Sequence, residues 1–559
     1  MVNAVHIVNN NIPSLMNNPT KLAPSPINIQ SLNHWLSDYK SRDALILLEG
    51  FTHGFRLNYT GPRGTRFSKN LVSARQFPEI VLQKVQKEID AGRAAGPFTV
   101  SPMKNIQISP IGVVPKKTPG EFRLIHHLSY PEGSSINDFI DPKLCSVKYT
   151  EFDQAIHIIQ ELGKNCYLFK SDIKNAFRLL PINPQDFELL GFMVEDKIFF
   201  DKALPFGCSI SPSLFENFST FLEFCVKTKM KSGHLIHYLD DFLGGEKTYK
   251  SCKELMVLFK SIMDNLGVPL ADEKTAGPTQ IIIFLGLELD SIKMEVRIPL
   301  DKITEVVQKI EFVLSQKKVC LRVIQSLIGS LNFCCRAIPI GRPFCRRLIN
   351  ATCGVKHMYH YVRVNKEMKS DLKMWMRFFS GHNGVSVFHD RFWVSNDDEQ
   401  FHTDSAGAIG FGIWFKGHWC NAKWPDVWHE NGFTKDITVL ELFPIVAAIF
   451  IWGNELRNKK IRFYCDNQAV VHILNTMTSK SPAVMMLMRV FTLQCLHYNC
   501  WVKASHISGA KNEISDALSR FQFSRFRKLA PEADLYPSVI PNFLWNIFEA
   551  DLNTWPVQE

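Results

Sequence analysis

The sequence predicts a chain of several domains that mix helices and strands, the α+β class. With 559 residues, the chain is long enough for three or four domains that each bury a core. Apolar runs of strand length, bounded by turn residues, alternate with segments in which apolar positions recur every three or four residues. Aspartates end several of these strand-like runs, in two well-separated parts of the chain. We therefore expect two separate sites built from carboxylates.

The composition is that of a globular protein with a polyanionic partner. Hydrophobic residues make up 46% and charged residues 21%, and the formal net charge is +10. The fourteen cysteines include no Cys-x-x-Cys pair, which excludes zinc knuckles and indicates free thiols in a reducing compartment. No secretory signal is recognisable, and the apolar run 439–452 is too short to span a bilayer. We expect an intracellular protein of the cytoplasm or nucleus, with no membrane partner.

The N-terminal part divides into a leader and a helical segment. Residues 1 to about 40 are rich in Asn, Pro and Ser and are expected to form a loose leader. The segment 80–89 has the clearest helical periodicity, and Gly92 and Gly96 follow it.

Basic residues lie on both arms of a predicted hairpin over residues 110–125, which has a Pro-Gly turn. Such a hairpin is often no more than a solvated surface element. Upstream of an acidic site, however, Lys117 and Arg123 could hold a triphosphate, Arg123 through its bidentate guanidinium and Lys117 as a point charge.

Three aspartates follow in strand contexts. Asp172 ends the apolar run 167–171, where a lone aspartate is most often a helix cap. Asp240 and Asp241 sit at the predicted hairpin tip of His-Tyr-Leu-Asp-Asp-Phe, residues 237–242. Three adjacent carboxylates cannot all stay charged without counter-ions, and oxygen ligands favour Mg²⁺ or Mn²⁺.

These motifs resemble the fingers and palm of reverse transcriptases. The resemblance lies in Phe-Lys-Ser-Asp-Ile-Lys-Asn-Ala-Phe (169–177), Leu-Pro-Phe-Gly (204–207), Ser-Pro (211–212), Tyr-Leu-Asp-Asp (238–241) and Phe-Leu-Gly-Leu (284–287). It implies a right-hand polymerase in which Asp172 and Asp240 bridge two Mg²⁺ ions and Asp241 supports them.

The resemblance also assigns roles around the metals. Lys274 would donate a proton to pyrophosphate, and Lys117 and Arg123 would contact the nucleotide phosphates. Phe177 occupies the steric-gate position that selects deoxynucleotides. Phe206 stands where the retroviral enzymes have Gln, which makes the nucleotide contact apolar there.

The middle of the chain, residues 291–395, combines helical segments with basic runs such as Gly-Arg-Pro-Phe-Cys-Arg-Arg-Leu (341–348). It is either a solvated helical linker or a thumb and connection that follow the phosphates of a duplex. The resemblance favours the second interpretation.

A second set of carboxylates begins at Asp404. An aspartic-protease loop is disfavoured there, because Ala406 replaces the glycine that the loop needs. Glu441 lies near the start of the apolar helix, Asp466 ends the run 461–465, and Asp516 lies in a short helical segment. Each alone has an ordinary structural explanation, such as a charge at a helix start.

The four acids lie on a predicted strand, helix, strand and helix, in that order. This arrangement resembles that of the RNase H family. His506 precedes Asp516 by ten residues, the family's spacing for its mobile histidine. The resemblance implies two Mg²⁺ ions that activate water against the RNA strand of an RNA–DNA hybrid, with His506 assisting product release.

We therefore predict five parts: an N-terminal leader and helical segment (1–75), fingers and palm (76–290), thumb and connection (291–395), an RNase H-like domain (396–525) and a C-terminal tail (526–559). The predicted activity is RNA- and DNA-directed DNA synthesis with hybrid degradation. The expected partners are an RNA template, a DNA primer, RNA–DNA hybrid, dNTPs and other retroelement proteins.

The details of the motifs are most similar to the DIRS and Ngaro retrotransposons. We find no recombinase, integrase or protease signature in the sequence. The chain therefore resembles part of a retroelement pol protein. The alternative is a folded but inactive nucleic-acid-binding relic, although all seven candidate metal ligands are intact. A telomerase or group II intron enzyme is disfavoured by the RNase H acids.

Overall fold

The structure is a computed structural model that describes residues 20–116, 120–381, 383, 401–457, 459–498 and 500–549. The chain divides into two compact units, Met1–Leu285 and Gly286–Glu559. Helices and strands alternate irregularly in both, as the α+β class requires. Within the described ranges, no helix is both long enough and apolar enough to cross a membrane.

The first unit contains two main sheets and the helices that cover them. Its strands are β1 (Arg66–Phe67), β2 (Ala94–Phe98), β3 (Gln107–Ile108), β4 (Ile111–Pro115), β5 (Phe122–His126), β6 (Tyr167–Asp172), β7 (Gly191–Val194), β8 (Lys197–Asp201), β9 (His234–Tyr238), β10 (Asp241–Glu246), β11 (Ala276–Thr279) and β12 (Ile281–Phe284). Its α-helices are α1 (Ile29–Leu36), α2 (Asp43–His53), α3 (Val72–Gln76), α4 (Pro78–Asp90), α5 (Pro142–Cys145), α6 (Phe152–Leu162), α7 (Ser211–Lys229) and α8 (Tyr249–Leu266).

The sheet that carries the first set of aspartates has the strand order β11–β6–β10–β9. Helices α7 and α8 pack against it and bury a core rich in phenylalanine, which includes Phe169, Phe218, Phe242 and Phe259. Helix α8 begins at a capping box and ends at Gly267 in the left-handed conformation. A second sheet, β1–β3–β7–β8–β2, and the β4–β5 hairpin accompany it.

Residues 20–40 pack against the main core through a few buried apolar side chains, so the prediction of a loose leader is wrong for them. Helix α1 begins after Asn28, whose side chain accepts a hydrogen bond from the Ser31 amide at 3.1 Å. Leu32 and Leu36 lie one helical turn apart and are both buried in the main core. The overall polar composition obscured this short apolar pair.

The second unit begins with two short strands, continues mainly with helices, and ends with an antiparallel meander and a parallel strand pair among further helices. Its strands are β13 (Leu287–Asp290), β14 (Glu295–Arg297), β15 (Lys318–Cys320), β16 (Tyr361–Arg363), β17 (Phe401–Ala406), β18 (Gly410–Phe415), β19 (His418–Lys423), β20 (Lys460–Cys465) and β21 (Trp501–His506). Its α-helices are α9 (Leu300–Ser315), α10 (Leu321–Cys334), α11 (Arg346–Thr352), α12 (Lys366–Gly381), α13 (Asp426–Glu430), α14 (Ile437–Trp452), α15 (Gln468–Thr476), α16 (Pro482–His497), α17 (Glu513–Ser519) and α18 (Phe523–Leu529).

Strands β17, β18 and β19 form an antiparallel meander, while β20 and β21 pair in parallel. β17 lies beside β20, where the rings of Phe401 and Phe463 meet at 4.4 Å. Helix α14 is buried along nearly its whole length, which explains its continuous apolar sequence. The meander and the parallel pair therefore share one helix-covered core.

The residues predicted as a C-terminal tail pack onto this second unit as far as residue 549. The Trp428 indole donates a hydrogen bond to the Trp545 carbonyl at 3.0 Å. The rings of Phe433 and Phe548 stack at 4.0 Å. The aromatic side chains of this segment fix it against α13 and α14.

Candidate active sites

The first site lies at one end of the β11–β6–β10–β9 sheet. Strand β6 ends at Asp172, which pairs directly with Asp241, the first residue of β10. Asp240 occupies the tight turn before it, and Leu239 in that turn has a φ of 54°. The Asp240 carbonyl accepts a hydrogen bond from the Ile173 amide at 3.0 Å, which fixes the turn against β6. Local strand pairing thus brings the three predicted aspartates together.

Lys274 approaches these acids from a short 3₁₀ turn. Its ammonium group donates to both carboxylate oxygens of Asp172 at 2.9 Å. The Asp172 side chain is 9% exposed and the Lys274 side chain 58%. The lysine therefore neutralises part of the charge from the solvent side.

The pKa values of Asp240 and Asp241 are raised by burial and by negative charge that Lys274 does not fully balance. Burial raises the pKa of Asp240, and repulsion by Asp172 adds to this effect. Burial also raises the pKa of Asp241 to about 6, together with the charges of Asp240 and Asp172. The site holds more negative charge than Lys274 balances, and all its donors are oxygens, so a hard divalent cation fits it.

A cavity of about 420 Å³ opens beside these acids. Asp172, Asp240 and Lys274 line one part of it, while Arg123 and Phe206 line another. The Arg123 guanidinium lies 5.2 Å from the centre of the Phe206 ring, a cation–π contact that orients the arginine. The cavity thus combines an acidic wall with a basic and aromatic wall. Lys117 lies outside the described residues.

Phe177 lies close to this cavity and is half-buried. Its ring contacts Phe206 at 5.3 Å and Phe215 at 5.4 Å. Asn175 and Ala176 both have a positive φ, 65° and 26°, and these conformations turn the chain sharply after β6. The strained turn fixes where Phe177 stands relative to Asp172.

Sequence reasoning missed a charged cluster that lines another part of the same cavity. Arg178 donates to Asp201 at 2.8 Å and to Glu88 at 3.0 Å, and it also binds the Ala203 carbonyl at 2.9 Å. His126 contacts the same Asp201 at 3.0 Å. These residues come from distant parts of the chain, so no local motif could reveal the cluster.

A second missed group supports the aspartate hairpin from behind. His237 on β9 contacts Glu216 at 3.2 Å and also Glu223, both on α7. Burial alone would lower the pKa of His237, but the two glutamates raise it to about 9. The imidazole is therefore charged at neutral pH and ties β9 to α7.

The second site lies in the other unit. Asp404 belongs to β17, Glu441 to α14 and Asp516 to α17, while Asp466 directly follows β20. A Cβ atom on Gly412, opposite Asp404 on β18, would lie 2.7 Å from the Ser515 carbonyl oxygen. The missing side chain lets α17 approach the sheet closely, which brings Asp516 towards Asp404.

Glu441 is the most perturbed acid of this set. Its side chain is buried, and its Oε2 atom has no hydrogen-bond partner among the described residues. Burial raises the pKa of Glu441 to about 9, and the charges of Asp404 and Asp466 add to the shift. An unpartnered buried carboxylate among other acids fits a cation.

Asp404 and Asp516 are held in different ways. Asp404 accepts a hydrogen bond from the Ser519 hydroxyl at 2.6 Å, but burial still raises the pKa of Asp404. Asp516 accepts from Arg520 at 2.7 Å and from Arg525 at 2.6 Å. Burial would raise the pKa of Asp516, but these two arginines lower it, so Asp516 is charged at neutral pH.

Asp466 and His506 meet at the ends of the parallel strand pair. Their strands place Cys465 opposite His506, and the His506 Nε2 atom lies 3.1 Å from the Asp466 carbonyl oxygen. The Asn467 side chain caps α15 and holds the chain in place just after Asp466. His506 is exposed and so can meet solvent or a ligand.

Comparison with known proteins addresses the first site directly. Residues 114–289 match the family described as reverse transcriptase (RNA-dependent DNA polymerase). These residues include Asp172, Asp240, Asp241 and Lys274. They form a reverse transcriptase domain.

The curated relatives belong to viruses and retroelements. The chain is 26% identical over 182 residues to a genome polyprotein of Petunia vein clearing virus, covering 33% of this chain and 8% of the relative. It is 25% identical over 167 residues to the transposon Tf2-7 polyprotein of Schizosaccharomyces pombe, covering 30% and 11%. It is 27% identical over 164 residues to Protein P of Duck hepatitis B virus, covering 29% and 20%. The chain thus spans a fifth or less of each of these relatives.

Among solved structures, the chain is similar to the foamy viral protease-reverse transcriptase. In its complex with dsDNA, that protein is 15% identical with a TM-score of 0.47, and the match covers 87% of this chain and 98% of that one. In its complex with an RNA/DNA hybrid, the identity is 15% and the TM-score 0.48, with 87% and 64% covered.

The predicted fold class, an α+β multidomain chain with a right-hand polymerase part, is confirmed. Retroelement relatives likewise confirm the broad resemblance. The roles assigned to the acids of both sites remain predictions, although each set converges in space.

Proposed function

We propose that this chain copies RNA and DNA templates into DNA and degrades the RNA strand of RNA–DNA hybrids. The observation that carries the polymerase proposal is the convergence of Asp172, Asp240 and Asp241 inside the reverse transcriptase domain, beside a cavity lined by Arg123. A triphosphate in that cavity would meet cationic groups on one side and cation-binding carboxylates on the other.

The residues of the first site would have two roles, metal binding and proton donation. Asp172 and Asp240 would hold two Mg²⁺ ions, or Mn²⁺ in their place, with Asp241 in support. Since Lys274 donates both of its described hydrogen bonds to Asp172, a metal that binds Asp172 would compete with the ammonium group and favour its release from the carboxylate. The released ammonium would then be free to protonate the departing pyrophosphate.

The aromatic wall would select the nucleotide. Phe206 would provide an apolar contact to the incoming nucleotide, and Arg123 would contact its phosphates, as Lys117 would. Phe177 would lie beneath the sugar and exclude a 2′-hydroxyl group. The contact between Phe177 and Phe206 supports this role, because each ring restricts the movement of the other.

In the second unit, Asp404, Glu441, Asp466 and Asp516 would hold a further pair of ions, and His506 would assist product release. The unpartnered Oε2 atom of Glu441 supports this proposal, since a cation would supply its missing partner. In both sites, bound Mg²⁺ would lower the pKa of the attacking oxygen and neutralise charge on the phosphate.

A polyanionic partner is also supported by the distribution of charge. The segment 312–366 contains ten Lys and Arg residues and neither Asp nor Glu. The rest of the chain has 54 Lys and Arg (64 − 10) against 54 Asp and Glu, so this segment accounts for the whole net charge of +10. That concentration favours a thumb and connection that follow a duplex over a neutral linker.

Within retroelements, the motifs favour the DIRS and Ngaro group, and they make other proteins of such an element the expected associates. The competing proposal is an inactive relic that still binds nucleic acid. The two proposals differ in whether the converged acids support turnover.

Primer extension on an RNA template tests the polymerase. Wild-type protein should extend a DNA primer with dNTPs in Mg²⁺ but not in EDTA, and Asp240→Asn should abolish extension. Asp272→Asn is the matched control, because Asp272 is an exposed aspartate of the same unit outside the cavity lining. If folded wild-type protein fails to extend the primer in either Mg²⁺ or Mn²⁺, the relic is favoured instead.

Cleavage of a labelled RNA–DNA hybrid tests the second site. Wild type should cut the RNA strand in Mg²⁺, and Asp466→Asn should not. Asp426→Asn, which changes an exposed aspartate of the same unit, should cut like wild type. Equal cleavage by the Asp466 variant would contradict the assignment.

A further inference from the structure

A buried thiol stands among the acids of the second site. Ligand atoms of Glu441, Cys465 and Asp466 all lie within 4.8 Å of one another. Cys465 is 1% exposed and Glu441 is 6% exposed. The Cys465 sulfur accepts a hydrogen bond from the Asn467 amide at 3.4 Å, which holds it near the strand end. The donor set is therefore one sulfur with two carboxylates.

The orientation of Glu441 points to a ligand at this position. Its Oε2 atom is buried without a hydrogen-bond partner in the part of the chain that the structure describes. Thiolate donors favour zinc-like cations, and sites with mixed donors generally bind Zn²⁺ more tightly than Mn²⁺. Mg²⁺ prefers oxygen donors and gains little from a sulfur ligand.

We propose that Glu441, Cys465 and Asp466 bind a thiophilic divalent cation such as Zn²⁺ or Cd²⁺. On binding, the Cys465 thiol and the Glu441 carboxyl each release a proton to water as their bonds to the metal form, and no electron is transferred. Because Glu441 and Asp466 are shared with the proposed nuclease, the bound cation blocks Mg²⁺ there. The binding stands by itself, while the inhibition rests on the proposed function.

Cadmium absorbance tests the binding. Cd²⁺ added to the full chain should produce a thiolate-to-metal ultraviolet band, and Cys465→Ser should lose the part of that band that saturates at one equivalent. Cys420→Ser should keep it, because Cys420 is equally buried but lies in β19 and is not part of the cluster of Glu441, Cys465 and Asp466. Glu441→Gln, which leaves every thiol in place, should weaken the binding by about tenfold or more.

The outcomes separate the two proposals. A band of equal size and affinity in Cys465→Ser overturns the cation site, as does an unchanged affinity in Glu441→Gln. Zn²⁺ should also inhibit hybrid cleavage in wild type at concentrations that Cys465→Ser tolerates. If wild type cuts no hybrid even in Mg²⁺, the nuclease proposal fails, while the cadmium band still decides the cation site.

A second, independent feature is an exposed aromatic cluster at the β15–β16 pair. Tyr359 is 71% exposed and Tyr361 65%. His357 stacks on Tyr359 with ring centres 5.4 Å apart and planes within 10°. The Lys318 ammonium lies 4.8 Å from the Tyr361 ring. Rings held in place by neighbours, yet open to solvent, can accept a further planar group.

The surroundings of this cluster determine which planar group it accepts. The cluster lies in the acid-free segment 312–366, with Lys318, Lys356 and Arg363 nearby in sequence or on the paired strands. Aromatic side chains in a cationic surface bind single-stranded nucleic acids by base stacking, largely without regard to sequence. Paired bases are already stacked, so a duplex offers no free base faces.

We infer that this aromatic cluster binds unpaired nucleotides. Their bases stack on Tyr359 and Tyr361, and their phosphates pair with Lys318, Lys356 and Arg363. This function goes beyond nucleotide addition and hybrid cleavage, because it provides a place for a template or displaced strand outside both acidic sites.

Two oligonucleotides of equal charge separate stacking from electrostatics. Wild type should bind a single-stranded oligothymidine more tightly than an abasic oligomer of the same length. The double variant Tyr359→Ala/Tyr361→Ala should lose about tenfold in affinity for oligothymidine and little for the abasic oligomer. Tyr536→Ala, an exposed tyrosine of the same unit, should behave like wild type.

Equal losses for both oligomers in the double variant would overturn the stacking, as would no loss for either. The latter result would leave a surface for a protein partner as the better interpretation. Binding is measured without dNTPs or Mg²⁺, so the result does not depend on either proposed activity.

Discussion

The two acidic sites balance their negative charge in different ways. At the first site, Lys274 donates two hydrogen bonds to Asp172 from the solvent side. At the second site, Arg520 and Arg525 bind Asp516 at the rim, while Glu441 is buried and its Oε2 atom has no partner within the described parts of the chain. At the first site, the proposed metal ligand Asp172 thus has a cationic partner, Lys274. At the second site, the proposed ligand Glu441 has no cationic partner among the described residues.

This difference shows which group can neutralise the carboxylates of each site when no metal is bound. In the first site, the half-exposed ammonium group of Lys274 balances part of the charge. In the second, protonation of Glu441 is the available route, because burial and two neighbouring aspartates raise its pKa to about 9. Metal binding therefore competes with an ammonium group at the first site, and with a proton that is held up to a higher pH at the second.

Metal removal should have the largest effect. EDTA should reduce both primer extension and hybrid cleavage by more than about 100-fold. Removing the metal itself should cost more activity than removing a residue that only hydrogen-bonds to a metal ligand, which typically costs about tenfold to 100-fold. When Mg²⁺ is titrated back at lower pH, hybrid cleavage should need more Mg²⁺ than extension does, since Glu441 must release a proton. Identical Mg²⁺ requirements at every pH would contradict the contrast.

Glu441→Gln should stabilise the metal-free protein. The pKa of Glu441 rises from an ordinary value of 4.5 to about 9 in the folded chain. The folded state therefore binds more protons, and wild-type stability falls as pH rises from 4.5 through about 9.

In EDTA at pH 8, the Gln variant should be more stable by on the order of 3 kcal/mol, and the difference should vanish below pH 4.5. Urea unfolding across this pH range measures it. Glu430→Gln, at an exposed glutamate, should show no such pH-dependent gain. A gain in stability that does not depend on pH would mean that the charge of Glu441 is not the cause of the difference.

Lys274→Met should reduce primer extension by about tenfold to 100-fold without affecting hybrid cleavage. The substitution removes both hydrogen bonds to Asp172 and the proposed proton donor. Lys274→Arg should recover part of the activity if charge beside Asp172 is what matters. Single-nucleotide incorporation rates measure both variants, and a normal rate in Lys274→Met would exclude the lysine from the reaction.

Arg525→Gln should have the smallest effect, a loss of about threefold in hybrid cleavage. Arg520 still binds Asp516 in this variant, and a partly exposed ion pair contributes less than about 1 kcal/mol. Initial cleavage rates at saturating hybrid measure the change. A loss as large as that of Asp466→Asn would show that Arg525 contacts the substrate.

The sequence predicted the acids of both sites because each follows a recognisable strand or helix pattern. The pairing of Asp172 with Asp241 follows from two apolar strands that end in carboxylates, so local pattern is sufficient. The charged cluster around Arg178 was not predictable in this way, since its partners Glu88, His126 and Asp201 share no local motif.

The supporting contacts of the second site were hidden for a similar reason. Ser519 belongs to an ordinary helical sequence, and its bond to Asp404 depends on how closely α17 approaches β18. Likewise, the perturbation of Glu441 depends on tertiary burial. Leu32 and Leu36 show the reverse failure, because a polar composition concealed a helix that the core requires.

The most direct measurement uses one RNA–DNA hybrid with a recessed DNA primer and follows extension and RNA cleavage together. With Mg²⁺ and dNTPs, wild type should do both, Asp240→Asn should cleave without extending, and Asp466→Asn should extend without cleaving. That double separation is expected if each unit carries its own metal-dependent site. Loss of both activities in either folded variant, or neither activity in wild type, would contradict it.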